Sequence, residues 1–160
     1  MEFNNSHRVL YAEDNEDNCE MVSLMCEFSG IKVVTTRTVV EAWQLSQAEH
    51  FDLYLLDSQF PDGDDLGLCR RLRQYAPRTP ILFYSGNAYE KDKKNGLAAG
   101  ATDYLIKPYL GDLAATIRHN IERTKKPARQ TDSGKSADTG VRRKITNTSI
   151  RIVKDIEFYA

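Results

Sequence analysis

Five times within the first 124 residues, a short apolar run gives way to a longer segment whose apolar residues recur at helical spacing. Residues 8–12 form the first run. Asn15 can cap the segment that follows, with Glu16 and Asp17 as helix-start residues; there Cys19, Val22 and either Met25 or Cys26 share a face, and Gly30 supplies a stop. The β-branched residues 31–35 predict a second strand and residues 41–48 a second helix. Residues 51–56 predict the third strand, and Leu66, Cys69, Leu72 and Tyr75 mark the third helix. A strand over 81–84, a helix over 90–99 stopped by Gly100, and a strand over 102–106 continue the alternation. In the fifth helix Pro108 sits in the first turn, and Leu110, Leu113, Ala114, Ile117 and Ile121 make the apolar stripe.

A repeated strand–helix pattern calls for parallel pairing, because only a crossover segment can return the chain to pair in the same direction. Near-continuous apolar strands require cover on both sheet faces. The expectation is an α/β, doubly wound five-stranded parallel sheet of order 2-1-3-4-5, flavodoxin-like, with helices on both faces. This domain spans residues 7–124. Residues 125–160 change character: 125–140 are rich in Lys, Ser, Thr, Asp and Gly, as a linker is, and 149–159 are more apolar, fitting a strand or a helix equally. From Lys125 onward there are nine basic and four acidic residues, net +5, which leaves net −6 before it. The expectation is an acidic domain with a basic tail. No apolar run approaches the roughly 18 residues of a membrane span, and the first eight residues lack a signal-peptide core. We therefore expect a cytoplasmic protein with no membrane partner. Three cysteines without close pairs predict no disulfide framework.

Parallel strands end at one edge, and the crevice beyond it is where such folds bind ligands. Glu13 and Asp14 follow the first strand, Asp57 the third, Ser85 the fourth and Lys107 the fifth. Three carboxylates crowded at one rim raise one another's pKa unless a cation compensates. Mg²⁺ suits such oxygen donors, and Lys107 adds a further positive charge. Asp57 beside them can attack phosphorus and form an acyl phosphate, a reaction governed mainly by positioning and charge neutralisation.

The acid pair Glu13-Asp14, Asp57 with Pro61 four residues later, Ser85-Gly86, and the run from Asp103 to Pro108 together resemble the receiver domain of two-component response regulators. The resemblance covers residues 8–124 or so and points to a stand-alone, chemotaxis-regulator-like form. It implies that Asp57 accepts phosphate from a histidine kinase or a histidine phosphotransfer protein. It implies that Asp14, Asp57 and the Gln59 carbonyl bind Mg²⁺ directly, with Glu13 acting through water. Lys107 would pair with the phosphoryl group, Ser85 would be drawn to it, and Tyr104 would turn inward. That movement would remodel the face of helix 4, strand 5 and helix 5 for a downstream protein. A cis bond before Pro108 is also implied, as is a switch that catalyses its own phosphotransfer and slow dephosphorylation rather than an enzyme proper. Three positions depart from the family pattern. Ser58 stands where an apolar residue is usual, Asp65 stands where glycine is usual with Gly63 two positions earlier, and Ser85 replaces the commoner threonine.

Other functions fit less well. A nucleotide or flavin site needs a phosphate cradle, whereas the first loop, residues 13–17, is acidic. A phosphatase would want a general acid close after Asp57, and Ser58-Gln59 offers none. The tail's charge permits weak attraction to nucleic acid, but no reading motif accompanies it, and no nucleic-acid partner is expected. His7, His50 and His119 are isolated, and Trp43 reads as packing.

Overall fold

A computed structural model describes residues 7–109 and 111–126. Leu110 and the tail from residue 127 onward, including the apolar stretch at 149–159, lie outside the described residues. The elements alternate: β1 (His7–Ala12), α1 (Glu16–Glu27), β2 (Ile31–Thr36), α2 (Val39–Ala48), β3 (Leu53–Leu56), α3 (Asp65–Tyr75), β4 (Ile81–Ser85), α4 (Glu90–Ala98), β5 (Asp103–Ile106) and α5 (Leu113–Lys125). The five strands form one sheet in the order β2-β1-β3-β4-β5, every pair parallel.

Side-chain oxygens set four of the five helix starts, α4 having no side-chain cap. Asn15 accepts from the Asn18 amide at 3.0 Å, Thr38 from the Glu41 amide at 3.1 Å, Asp64 from the Gly67 amide at 2.7 Å and Asp112 from the Ala115 amide at 2.9 Å. Each satisfies an amide the first turn would leave without a partner. Two starts differ from the sequence expectation. α2 begins at Val39 rather than Glu41, because Thr38 caps it and the Asp62 carboxylate accepts from the Val39 and Val40 amides at 3.0 and 3.3 Å. α5 begins only after Asp112, so Pro108 lies in the preceding loop and not in a helical turn. Asp112 offers a cap that Pro108 lacks. α5 also runs through Lys125, whose ammonium meets Asp52 at 3.0 Å.

Alternation along the strands builds two cores. Val9 and Tyr11 of β1, Leu53 and Leu55 of β3, Leu82 and Tyr84 of β4 and Leu105 of β5 pack beneath α1 and α5. Leu10, Tyr54, Leu56, Ile81, Phe83 and Tyr104 point the other way, beneath α2 and α3. On α1 it is Cys26, not Met25, that takes the buried place. Tyr75, expected on the apolar stripe of α3, is half exposed and packs edge-on against Trp43, with ring centroids 5.8 Å apart.

Candidate functional site

The rim beyond the strand ends has two halves, one over each core. β1 carries Tyr11 towards the α1/α5 side, and two residues on, Glu13 shares that side. Tyr11 donates to Glu13 Oε2 at 2.7 Å and the Asn15 amide donates to Oε1 at 3.1 Å. Lys107, just past β5, donates to the same Glu13 Oε2 and lies 3.5 Å from Asp57 Oδ1. Its Nζ also stands 5.3 Å from the centre of the Tyr84 ring. Asp57 remains tied to β1 by its amide, which donates to the Ala12 carbonyl at 2.9 Å. Oxygens of Glu13, Asp14 and Asp57 lie within 4.8 Å of one another.

The two buried acids differ. Burial alone would raise the Glu13 carboxyl, but hydrogen bonds from Lys107, Tyr11 and the Asn15 amide outweigh it and hold the group below the usual carboxylate range. Asp57 goes the other way. Burial raises it, Lys107 and the Ser58 amide pull it back only in part, and the Glu13 charge raises it again. Glu13 is thus a settled anion, whereas Asp57 is a carboxylate short of positive charge. Burial and the Glu13 bond push the Tyr11 phenol far up, so it stays a donor.

The second half of the rim centres on hydroxyls and amides, with Asp65 and Asp92 lining the same cavity. Register pairs Leu56 with Phe83, so two residues further on Ser58 meets Ser85 across the strand ends. Their hydroxyls are hydrogen-bonded to each other. Asn87 joins both: its amide donates to Ser85 Oγ at 3.1 Å and its Nδ2 to Ser58 Oγ at 3.3 Å. Gln59 Nε2 reaches Asn87 Oδ1 at 3.4 Å, and the Tyr104 hydroxyl donates to the Asn87 carbonyl at 3.0 Å. The Tyr104 ring is only 5% exposed and stacks on Phe83, centroids 5.6 Å apart. α4 closes over that stack at Gly96, where a Cβ would come within 3.0 Å of Phe83 and 3.1 Å of Tyr104.

The residues singled out by their strand-end positions are therefore together, Glu13, Asp14, Asp57 and Lys107 on one side and Ser85 on the other, where Tyr104, implied by the resemblance, also lies. Gln59 is exposed beside them, and the Lys107–Pro108 peptide is cis. Tyr104 occupies the inward position, its ring stacked on Phe83. Sequence reasoning missed Tyr11, Asn87 and the part played by Ser58. Tyr11 had a signal, since two residues before Glu13 it had to share a face with it. Asn87 had a weaker one, since an amide two residues after a serine often returns to its hydroxyl.

The donor set is hard and anionic, and fits a divalent cation such as Mg²⁺ better than a softer metal. The fold and this rim match known proteins. The response regulator receiver domain family matches residues 9–118. The cell cycle response regulator CtrA of Brucella ovis is 37% identical over 119 residues, which is 74% of this chain and 51% of CtrA; the chain spans about half the length of the curated relatives it matches. A two-component response regulator from Clostridium difficile superposes with a TM-score of 0.71 at 27% identity, covering 76% of this chain and all of that one. The Francisella response regulator 1452 receiver domain does so at 0.69 and 27%, covering 75% of this chain and all of its own. The chain belongs to the response regulator receiver family.

Proposed function

We propose that this receiver takes a phosphoryl group onto Asp57 from a phosphohistidine of a histidine kinase or histidine phosphotransfer protein. The observation that carries the reading is the buried Asp57 carboxylate, raised by desolvation, with one cation 3.5 Å away and two more carboxylates around it. An Asp57 oxygen attacks phosphorus, the phosphorus–imidazole nitrogen bond breaks, and the imidazole leaves with that electron pair and takes up a proton from solvent. Asp14, Asp57 and the Gln59 carbonyl would hold Mg²⁺, with Glu13 behind them through water; the ion would neutralise the phosphoryl oxygens. Lys107, shared between Glu13 and Asp57, turns towards the new negative charge. Ser85 donates to a phosphoryl oxygen, and its shift is passed to Tyr104 through Asn87.

The face of α4, β5 and α5 then offers a changed surface to a downstream protein. The reading puts the receiver over residues 7–124, with the basic tail outside it, and places the protein in the cytoplasm. Among the described residues no helix is long and apolar enough to cross a membrane. Mass spectrometry of the full chain after incubation with Mg²⁺ and a small phosphodonor tests the reading: one hydroxylamine-labile phosphate is expected, absent in Asp57→Asn. Full labelling of that variant would refute it.

A further inference from the structure

We propose that Ser58 is a positioning residue that competes with the phosphoryl group for the Ser85 hydroxyl, and so sets how readily the switch is thrown. The inference rests on the reading of Asp57 as phosphoacceptor and adds a control that this chain builds from its own side chains.

The competition is one of position, since one hydroxyl cannot reach both neighbours at once. Each serine hydroxyl has one proton and two lone pairs. Ser85 Oγ receives the Asn87 amide and Ser58 Oγ receives Asn87 Nδ2, so both already accept from one residue. They are also bonded to each other. A phosphoryl oxygen carries no proton, so only a proton given up by Ser85 can serve it. Either serine can donate in their mutual bond, and in both cases that bond fixes where the Ser85 hydroxyl sits. Asp57 faces Lys107 and Glu13 on the α1/α5 side, whereas Ser58 faces Ser85 and Asn87 on the other. Ser85 is thus held towards the neighbour of Asp57 and away from Asp57 itself. Moving across to a phosphoryl group breaks the Ser58 contact, since a hydrogen bond weakens steeply with distance and angle. Ser58 does not drift after it, being anchored by Asn87.

An apolar side chain at position 58 would leave Ser85 free. The hydroxyl therefore biases the switch towards rest. It also couples that bias to Tyr104, because Asn87 holds Ser58 with its side chain and Tyr104 with its carbonyl.

Beryllofluoride, a tetrahedral acceptor-only mimic of the phosphoryl group, serves as the probe. Its affinity for the full chain is measured by titration calorimetry at fixed Mg²⁺. Loss of one competing neutral hydrogen bond, a net effect of ordinary size, should tighten binding about fivefold in Ser58→Ala. Ser58→Thr, which keeps the hydroxyl, should bind like wild type. In a Ser85→Ala background the Ser58→Ala change should do nothing, an outcome that general loosening of the loop would not produce. Ser58→Cys, close in shape but a weaker donor, should shift affinity in the same direction by less, and keeps the test valid if the alanine variant fails to fold. Unchanged or weaker binding in Ser58→Ala or, failing that, Ser58→Cys, or an effect that survives Ser85→Ala, overturns the proposal while leaving the phosphoacceptor reading intact. A wild-type chain that binds no beryllofluoride with Mg²⁺ overturns both.

Discussion

Asp57→Asn should make the metal-free protein more stable, although it removes a group that pairs with a lysine. Asp57 is 7% exposed, so its charge is poorly solvated. At the effective dielectric of about 20 that suits protein sites, Lys107 at 3.5 Å attracts it by about 5 kcal/mol. Glu13, taken at the 4.8 Å limit of the cluster, repels it by about 3.5 kcal/mol. Asp14 is exposed, and its repulsion is screened towards about 1 kcal/mol. Attraction and repulsion nearly cancel, which leaves desolvation uncompensated and agrees with the raised carboxyl. Asparagine keeps the shape and one acceptor oxygen but discards the charge. The expected gain is about 1–2 kcal/mol, or roughly 3–8 °C in Tm for a domain of this size.

The sign with pH follows from linkage. Because the folded Asp57 carboxyl is raised, the unfolded chain loses its proton first, so this group lowers wild-type stability as pH climbs from about 3.9 through the folded value. The advantage of Asp57→Asn should therefore be absent at strongly acid pH, grow through that window and level off above it. Calorimetric melts in EDTA across pH measure it, and Mg²⁺ should then stabilise wild type and erase most of the gap. An Asp57→Asn variant less stable than wild type in EDTA at neutral pH would refute the reasoning, as would equal stabilisation of both by Mg²⁺.

Lys107→Met should lower metal-free stability by about 3 kcal/mol, because it leaves Glu13 buried and charged without its cation; urea melts read this, and Mg²⁺ should restore more stability than in wild type. Asp52 receives the Arg8 amide at 2.9 Å and Lys125 at 3.0 Å; burial opposes its charge, but these partners hold its carboxyl low. Asp52→Asn should cost about 1–2 kcal/mol at neutral pH, and the wild-type advantage should fade as pH drops through the depressed folded value. Gly96→Ala drives a methyl onto Phe83 and Tyr104; it should cost about 1–3 kcal/mol despite better helix propensity, and change the near-ultraviolet circular dichroism of the tyrosines.

Much of this site was visible in sequence, and the reason is geometric. Once five strands are parallel, whatever follows each must lie at one edge, so Glu13, Asp14, Asp57, Ser85 and Lys107 converge without any knowledge of side-chain direction. Helix interiors were nearly as clear, save where two adjacent residues fit one face, as Met25 and Cys26 did, and at the end of α3, where Tyr75 is half exposed. What stayed hidden depends on long-range partners. Nothing near Val39 announces that Asp62, 23 residues away, will help fix the start of α2. Nor does the proline at 108 reveal that the helix waits for Asp112 to cap it.

The division of the rim into two halves explains why one further residue matters so much. Alternation sends Glu13, Asp57 and Lys107 to the side of α1 and α5, where charge is gathered, and Ser85 with Tyr104 to the opposite side, where a tyrosine meets α4. Under the proposed function, a signal that begins as charge at Asp57 must cross the sheet edge to become a change in packing. Asp57 and Ser58 are consecutive, yet each looks to a different half. On the proposed function, the shortest route across runs from Asp57 to Ser85 past the side chain of Ser58, and a hydroxyl there is in position to resist the crossing where an apolar group could not.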